Sequence, residues 1–396
     1  MMESIALHDE RKRRRDEAAY RRDAIARLTA NDADLAARLH AVRNFGAMIR
    51  SSEYHLTNAC NLRCQGCWFF EFGHDVKVKE VKDLSKLESF VEAEKARRIT
   101  AALLIGGEPT LFPERVRAFA RRLKYVTVSS NGLEKLPADG DFANIAVMLT
   151  LFGGGDLDDE LRAIKPGGHR FTGLFDRMLE NYRNDPRANF VYAVTAKSVP
   201  HIEQTVQRIR DNGNRVTINF YSEYDTDSPI KRESERVLLE ECMRVKSLYP
   251  DTVTSHEAHI ASVITGKTEW GTFGYHSCPS ISVGHPAHGD RVKNGNPTLP
   301  LFNTYNADFS SIEFCCTSGH CDDCRDSQAV YSWLMTNMDR ALTSTQVLWD
   351  WVLMAESYWS QFIWSPYHPS RRNDRMTAAA GLESAVAAPP ISSSHH

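Results

Sequence analysis

The chain has 396 residues, enough for one large domain with additions or for two domains. With 42% hydrophobic and 25% charged residues it has an ordinary globular make-up, and a net charge of −3 offers no electrostatic footprint for nucleic acid. No apolar run reaches the roughly 18 residues of a membrane span, and no apolar segment follows the basic N-terminus to make it a secretory signal, so a cytoplasmic location with no membrane partner is expected.

Residues 1 to 50 alternate charge with apolar residues at helical spacing (Leu28, Leu35, Leu39, Val42), which predicts one or two amphipathic helices after a mobile basic start. The "RKRRR" cluster reads as a solvated extension. From residue 53 strands and helices alternate. Strands are predicted at 53–57, 100–107, 125–132, 144–153, 189–198 and 215–223, with helices at 84–98, 112–123, 173–184 and 199–213. Apolar runs of this kind suit parallel strands covered on both faces, so the fold class is α/β. Six units fall short of the eight of a closed barrel, and an open partial barrel and a doubly wound sheet both fit the pattern.

After residue 225 the alternation stops. A helix is predicted at 237–249, and residues 265–312 are rich in Gly, Pro, Asn and His. Residues 331–370 are helical and heavy in tryptophan, a stripe read as core or docking surface. The Ala/Ser/Pro-rich tail, 371–396, is predicted to be disordered. The division is therefore a helical extension at 1–50, an α/β unit at 51–225, a C-terminal extension at 226–330, the Trp-rich segment and the tail.

Nine cysteines fall into two clusters, 60/64/67 and 315/316/321/324, with Cys242 and Cys278 alone. Clustering in a chain expected in the cytoplasm points to metal ligation rather than disulfides. Cys60, Cys64 and Cys67 have the spacing C-x3-C-x2-C directly after the first strand. A structural zinc is normally closed by four ligands, whereas three on one loop leave a coordination position open. The next strand ends in "GGEP" (106–109) and the third in "SSNG" (129–132), so all three motifs are expected on the carboxyl edge of the sheet, where ligands of α/β folds bind.

"CNLRCQGC", followed 39 residues later by "GGEP" and then by "SSNG", resembles the radical S-adenosylmethionine (SAM) superfamily. The resemblance covers residues 53–223 and implies a partial (β/α)6 barrel. It implies that Cys60, Cys64 and Cys67 hold three irons of a [4Fe–4S] cluster whose fourth iron binds the amino and carboxylate groups of SAM. Reductive cleavage of SAM then yields a 5′-deoxyadenosyl radical that abstracts hydrogen from a peptide or small-molecule substrate of natural-product type. Carried over by position, Gly106, Gly107, Glu108 and Pro109 contact the SAM amine, and Ser129 and Asn131 lie near ribose and carboxylate. Thr150 supplies a further hydroxyl, and Lys165 a basic group for the SAM carboxylate, with Arg162 as its rival. Asn219 and Tyr221 would flank adenine or substrate. The family's common aromatic residue before the third cysteine is Gly66 here, with Trp68 after it.

The second group, Cys278 with Cys316, Cys321 and Cys324, resembles the C-terminal extensions that hold an auxiliary iron–sulfur cluster. Cys316 is set only slightly ahead of Cys315, and a zinc site using the same residues or His320 is the rival. The resemblance implies an oxidoreductase or transferase-type enzyme and an external one-electron donor of flavodoxin or ferredoxin type. The alternative is a non-catalytic iron–sulfur or zinc protein with a sensor or assembly role. A glycyl-radical activase, normally shorter and richer in ferredoxin-like cysteine runs, fits poorly.

Overall fold

Seven parallel strands make one sheet in the order β6-β5-β4-β3-β2-β1-β7. They are β1 (Ser51–Thr57), β2 (Ala101–Gly106), β3 (Tyr125–Ser130), β4 (Ala146–Leu151), β5 (Ala188–Val194), β6 (Arg215–Phe220) and β7 (Thr304–Tyr305). The computed structural model describes residues 2–220, 230–267, 270–271, 273–315, 321 and 324–371, with side chains described from residue 15 and, in the helix beginning at Ile230, from residue 234. Tyr221, Cys316, His320 and the tail after residue 371 lie outside the described residues.

The strand order decides between the two architectures that the sequence pattern allows. From β1 to β6 each strand adds next to its predecessor, so there is no reversal point of the doubly wound kind. Sequential addition is barrel-type winding, left open between β6 and β7. The sheet has one strand more than expected: β7, from the stretch read as irregular, pairs Thr304 with Glu53 and Tyr305 with Tyr54.

Alternation along each strand explains the interior. Outward positions are bulky and buried under helices, as at Val147, Leu149, Phe190, Tyr192, Val216 and Ile218. The intervening inward positions mix polar with apolar residues: Glu53, Thr127, Ser129, Thr150, Thr217 and Asn219, with Leu103, Ile105, Met148 and Val191, line one cavity of about 1120 Å³. A closed barrel fills this space with branched apolar side chains; here the residue choice leaves it open.

The N-terminal extension is two helices, Met2–Thr29 and Ala33–Met48. The first begins at Met2, so the basic cluster is helical rather than a separate mobile start. Asp32 caps the second helix by accepting the Leu35 N–H at 2.9 Å, an arrangement typical of N-terminal caps. Its Leu35, Leu39, Val42 and Phe45 are buried. The Trp-rich segment closes the cavity on two sides. Helix Ser327–Thr336 presents Tyr331 and Met335 to it, and helix Thr345–Ser360 with residues 361–364 presents Trp351, Trp359 and Trp364. The Trp364 Nε1–H reaches the Thr127 hydroxyl at 3.3 Å, deep among the inward strand positions.

Candidate active site

The cysteine loop is anchored at its root before it supplies any ligand. The Glu80 carboxylate accepts hydrogen bonds from the Thr57 hydroxyl (3.0 Å) and the Asn58 N–H (2.8 Å). Arg115 pairs with that carboxylate at 2.6 Å and also donates to Leu56 O at 2.9 Å. From the neighbouring strand the Gly107 N–H donates to Thr57 O and the Glu108 N–H to Ala59 O, both at 2.8 Å. Farther along, Arg63 N–H donates to Ile164 O at 2.7 Å and Gln65 N–H to Leu161 O at 2.8 Å. Backbone bonds from two directions thus fix a loop with no regular structure of its own.

Gly106 and Gly107 serve this anchoring directly. A Cβ on Gly107 would stand 2.0 Å from Ala59 O, and one on Gly106 2.7 Å from Thr57 O. Gly106 also has φ +113°, which disfavours any residue with a Cβ. The space beside Gly106 is taken by the end of β1, and that beside Gly107 by Ala59 of the cysteine loop.

Cys60, Cys64 and Cys67 all line the cavity. Burial pushes the Cys60 thiol up to about 12 and the Cys67 thiol up to about 11, and raises Cys64 against the pull of Arg162. Bare thiolates are therefore costly here, and a cationic metal centre is what would stabilise them. A buried set of three soft donors fits an iron–sulfur cluster by its chemistry. Among the described residues no group of three or more His, Cys, Asp or Glu side chains is arranged to hold a single metal ion.

Glu108 is fully buried, and its hydrogen bonds tie two strand ends together. Oε1 accepts from the Thr110 N–H (3.1 Å) and hydroxyl (2.6 Å), and Oε2 from the Asn131 N–H at 2.7 Å. Burial still raises its carboxyl above the usual range, against those donors. Pro109 opens the short 3-10 turn Pro109–Leu111 that Glu108 caps. Asn131 donates to Asn61 Oδ1 at 2.7 Å, and its Nδ2 lies 3.9 Å from Cys60 Sγ, joining the third strand end to the cysteine loop. Ser129 and Thr150 line the same cavity.

Of the two basic candidates, the cavity takes Arg162. Lys165 is exposed and lies outside the lining, its ammonium 5.9 Å from the Phe171 ring centroid. Arg162 is fully buried, pairs with Asp158 at 2.9 Å, donates to Thr150 O and presents its own backbone oxygen to Cys64 Sγ at 3.9 Å. Burial opposes its charge, but Asp158 and Cys64 more than offset this and raise it. Asp158 in turn accepts the N–H groups of Phe152, Gly153 and Gly154, the last at 2.6 Å. Glu80, Arg115 and Asp158 escaped the sequence reading. The one signal for Asp158 was its place just after the "GGG" that follows β4.

The second cysteine group gathers beyond helix Glu257–Thr265. Cys278 and Cys315 are buried in one small cluster with Ile281 and Ala329, and an antiparallel bridge joins Ile281 to Cys315. Burial raises Cys278 to about 12, and Cys321 lies close enough to act on it electrostatically. Cys324 is raised by burial and by Asp326, with Cys278 and Cys315 adding to the effect. Cys278, Cys315, Cys321 and Cys324 therefore lie in one region of the fold, without forming, among the described residues, a group arranged to hold a single metal ion. Cys316, set slightly ahead of Cys315 as a ligand, lies outside the described residues.

No protein-family profile matches the chain, and no curated protein matches it. Among solved structures, native anSMEcpe with bound AdoMet is similar over 58% of this chain and 71% of that chain, with 17% identity and a TM-score of 0.43. Native anSMEcpe with bound AdoMet and Cp18Cys peptide is similar over 72% and 80%, with 15% identity and a TM-score of 0.45. At these levels the likeness bears on neither substrate nor reaction. Among the described residues no helix is long and apolar enough to cross a membrane.

Proposed function

We propose that the chain is a radical SAM enzyme in which Cys60, Cys64 and Cys67 hold a [4Fe–4S] cluster and SAM lies across the cavity mouth. One observation carries this reading: the three thiols, Glu108, Asn131, Ser129, Thr150 and Arg162 converge at one end of a single cavity. When bound, cluster and SAM supply a reducing electron and a carbon radical able to take hydrogen from an unactivated position.

The chain's own residues bind, orient and enclose. Glu108, held by donors from Thr110, Asn131 and Ser130, lines the cavity where the SAM ammonium would lie. Arg162, held by Asp158, is placed for the SAM carboxylate, with the Thr150 and Ser129 hydroxyls beside it. Residues 51–225 form the catalytic unit, and the Trp-rich 331–370 segment walls the cavity against water. Extension 226–330 holds a second cluster through Cys278, Cys315, Cys321 and Cys324, fully ligated and so suited to electron transfer or structure. An external one-electron donor of flavodoxin or ferredoxin type reduces the protein, and the substrate is a peptide or small molecule.

The test is anaerobic reconstitution with iron and sulfide, iron counting and electron paramagnetic resonance with and without SAM. About eight irons per chain and a reduced-cluster signal altered by SAM are expected. Replacing Cys60, Cys64 and Cys67 by alanine should leave about four irons and abolish the SAM effect. A wild-type signal indifferent to SAM sinks the reading.

A further inference from the structure

An inward position of β1 carries a buried carboxyl group that, among the described residues, no basic side chain pairs with. Glu53 is an inward residue of β1 and only 2% exposed, yet it lines the cavity, and its Oε1 has no hydrogen-bond partner. Leaving a buried carboxyl oxygen without a hydrogen bond is costly, so a glutamate here needs a reason beyond packing. A second carboxyl group faces the same cavity. Asp326 lines the cavity from the start of helix Ser327–Thr336, using Oδ1 to accept the Ala329 N–H at 2.8 Å. Burial and the Asp326 charge both raise the Glu53 carboxyl, a cost that an incoming cation would reverse.

Among the described residues no cation pairs with either carboxyl, and Arg162, which also lines the cavity, is paired with Asp158. Arg21, Arg43, Arg50 and Arg98 also line the cavity, but Arg21 pairs with Asp339 and, among the described residues, none of the four pairs with Glu53 or Asp326. The surroundings suit a long alkyl-linked group: Leu103 pairs with Glu53 in the sheet, and Tyr331 and Met335 face the same space. Leu103 lies three residues below Gly106, roughly 10 Å beneath the sheet edge that carries the cysteine loop.

We propose that Glu53 and Asp326 form a recognition site for a cationic nitrogen, an alkylammonium or guanidinium, carried by the substrate. The substrate class is then a molecule with a basic side chain, inserted from the cavity mouth with its charged end deep and the carbon to be attacked near the edge. This placement of the reacting carbon rests on the radical SAM reading; the cation site itself does not. Two carboxyl groups on one cavity wall favour a cation over its neutral isostere, because charge-assisted hydrogen bonds are the stronger ones.

The test measures binding to the full chain without added iron or SAM, so a failure of the cluster reading leaves it intact. The probes are agmatine and n-pentylamine, with 1-pentanol and pentanoate as neutral and anionic isosteres, followed by ligand-observed NMR titration. Agmatine and pentylamine should bind at least tenfold tighter than pentanol, with pentanoate weakest. Glu53→Gln keeps the shape, and Asp326→Asn keeps an N-cap; each should cut amine affinity at least tenfold while leaving pentanol binding unchanged. A thermal melt of each variant checks folding, and either folded variant alone suffices. Equal binding of amine and alcohol, no binding of either amine, or amine affinity unchanged in the folded variants would overturn the proposal.

Discussion

Gly107→Ala should damage the candidate metal site through backbone alone. The new Cβ would meet Ala59 O at 2.0 Å, Ala59 C at 2.5 Å and Ala59 N at 3.2 Å, all backbone atoms. No side chain can rotate away, so the loop one residue before Cys60 must move by about 1 Å to reach ordinary contact. That movement strains the 2.8 Å bonds from Gly107 N to Thr57 O and from Glu108 N to Ala59 O. Overpacking of about 1–3 kcal/mol plus about 1 kcal/mol for a weakened bond gives a loss of roughly 2–4 kcal/mol. Urea unfolding measures the loss, and iron per chain after reconstitution reports the loop. Gly167→Ala is the control: its Cβ would meet only His169, at 3.4 Å, so a change within about 0.5 kcal/mol is expected. A Gly107→Ala protein as stable as wild type and carrying full iron would refute the reasoning.

Asp158→Ala strands a fully buried Arg162 and three backbone donors, and should cost about 3–5 kcal/mol in urea unfolding; a loss under about 1 kcal/mol would contradict the pairing. Cys278→Ser should remove about half the iron and leave the SAM-sensitive signal unchanged, as read by iron analysis and paramagnetic resonance. Lys165→Ala should leave SAM binding within about twofold, whereas Arg162→Lys should weaken it at least tenfold by removing the planar fork, measured by equilibrium dialysis of reconstituted protein. His55 gives a pH signature. Burial first, then the neighbouring His74, lowers it from 6.5 to about 3. The unfolded chain therefore binds the extra proton between those values, and stability falls as pH drops below 6.5, by roughly 2 kcal/mol at about pH 5. His55→Phe should flatten that limb of the urea-stability profile.

Much of the fold was legible because its signals are local. The six α/β strands lie within a few residues of their apolar runs, and the three strand-end motifs meet at one edge as strand polarity requires. What stayed hidden depends on long-range contact. β7 is a two-residue strand, too short for any periodicity, and Thr304–Tyr305 pairs with β1 only because the chain returns to that edge. Glu80 and Arg115 look like ordinary surface charges in sequence, and only the fold brings them under Thr57. Lys165 and Arg162 are three residues apart, and helix Gly155–Leu161 decides which of them turns inward. The Trp-rich helices read correctly as core, but their role as cavity wall follows from the open gap between β6 and β7, which no local pattern reveals.

The most direct test of the radical SAM reading is formation of 5′-deoxyadenosine, followed by mass spectrometry after SAM and dithionite are added to the anaerobically reconstituted protein. The reading predicts product from the wild-type chain and none once Cys60, Cys64 and Cys67 are replaced by alanine. Iron-loaded wild-type protein that yields no 5′-deoxyadenosine, or product that persists in the triple variant, would contradict it.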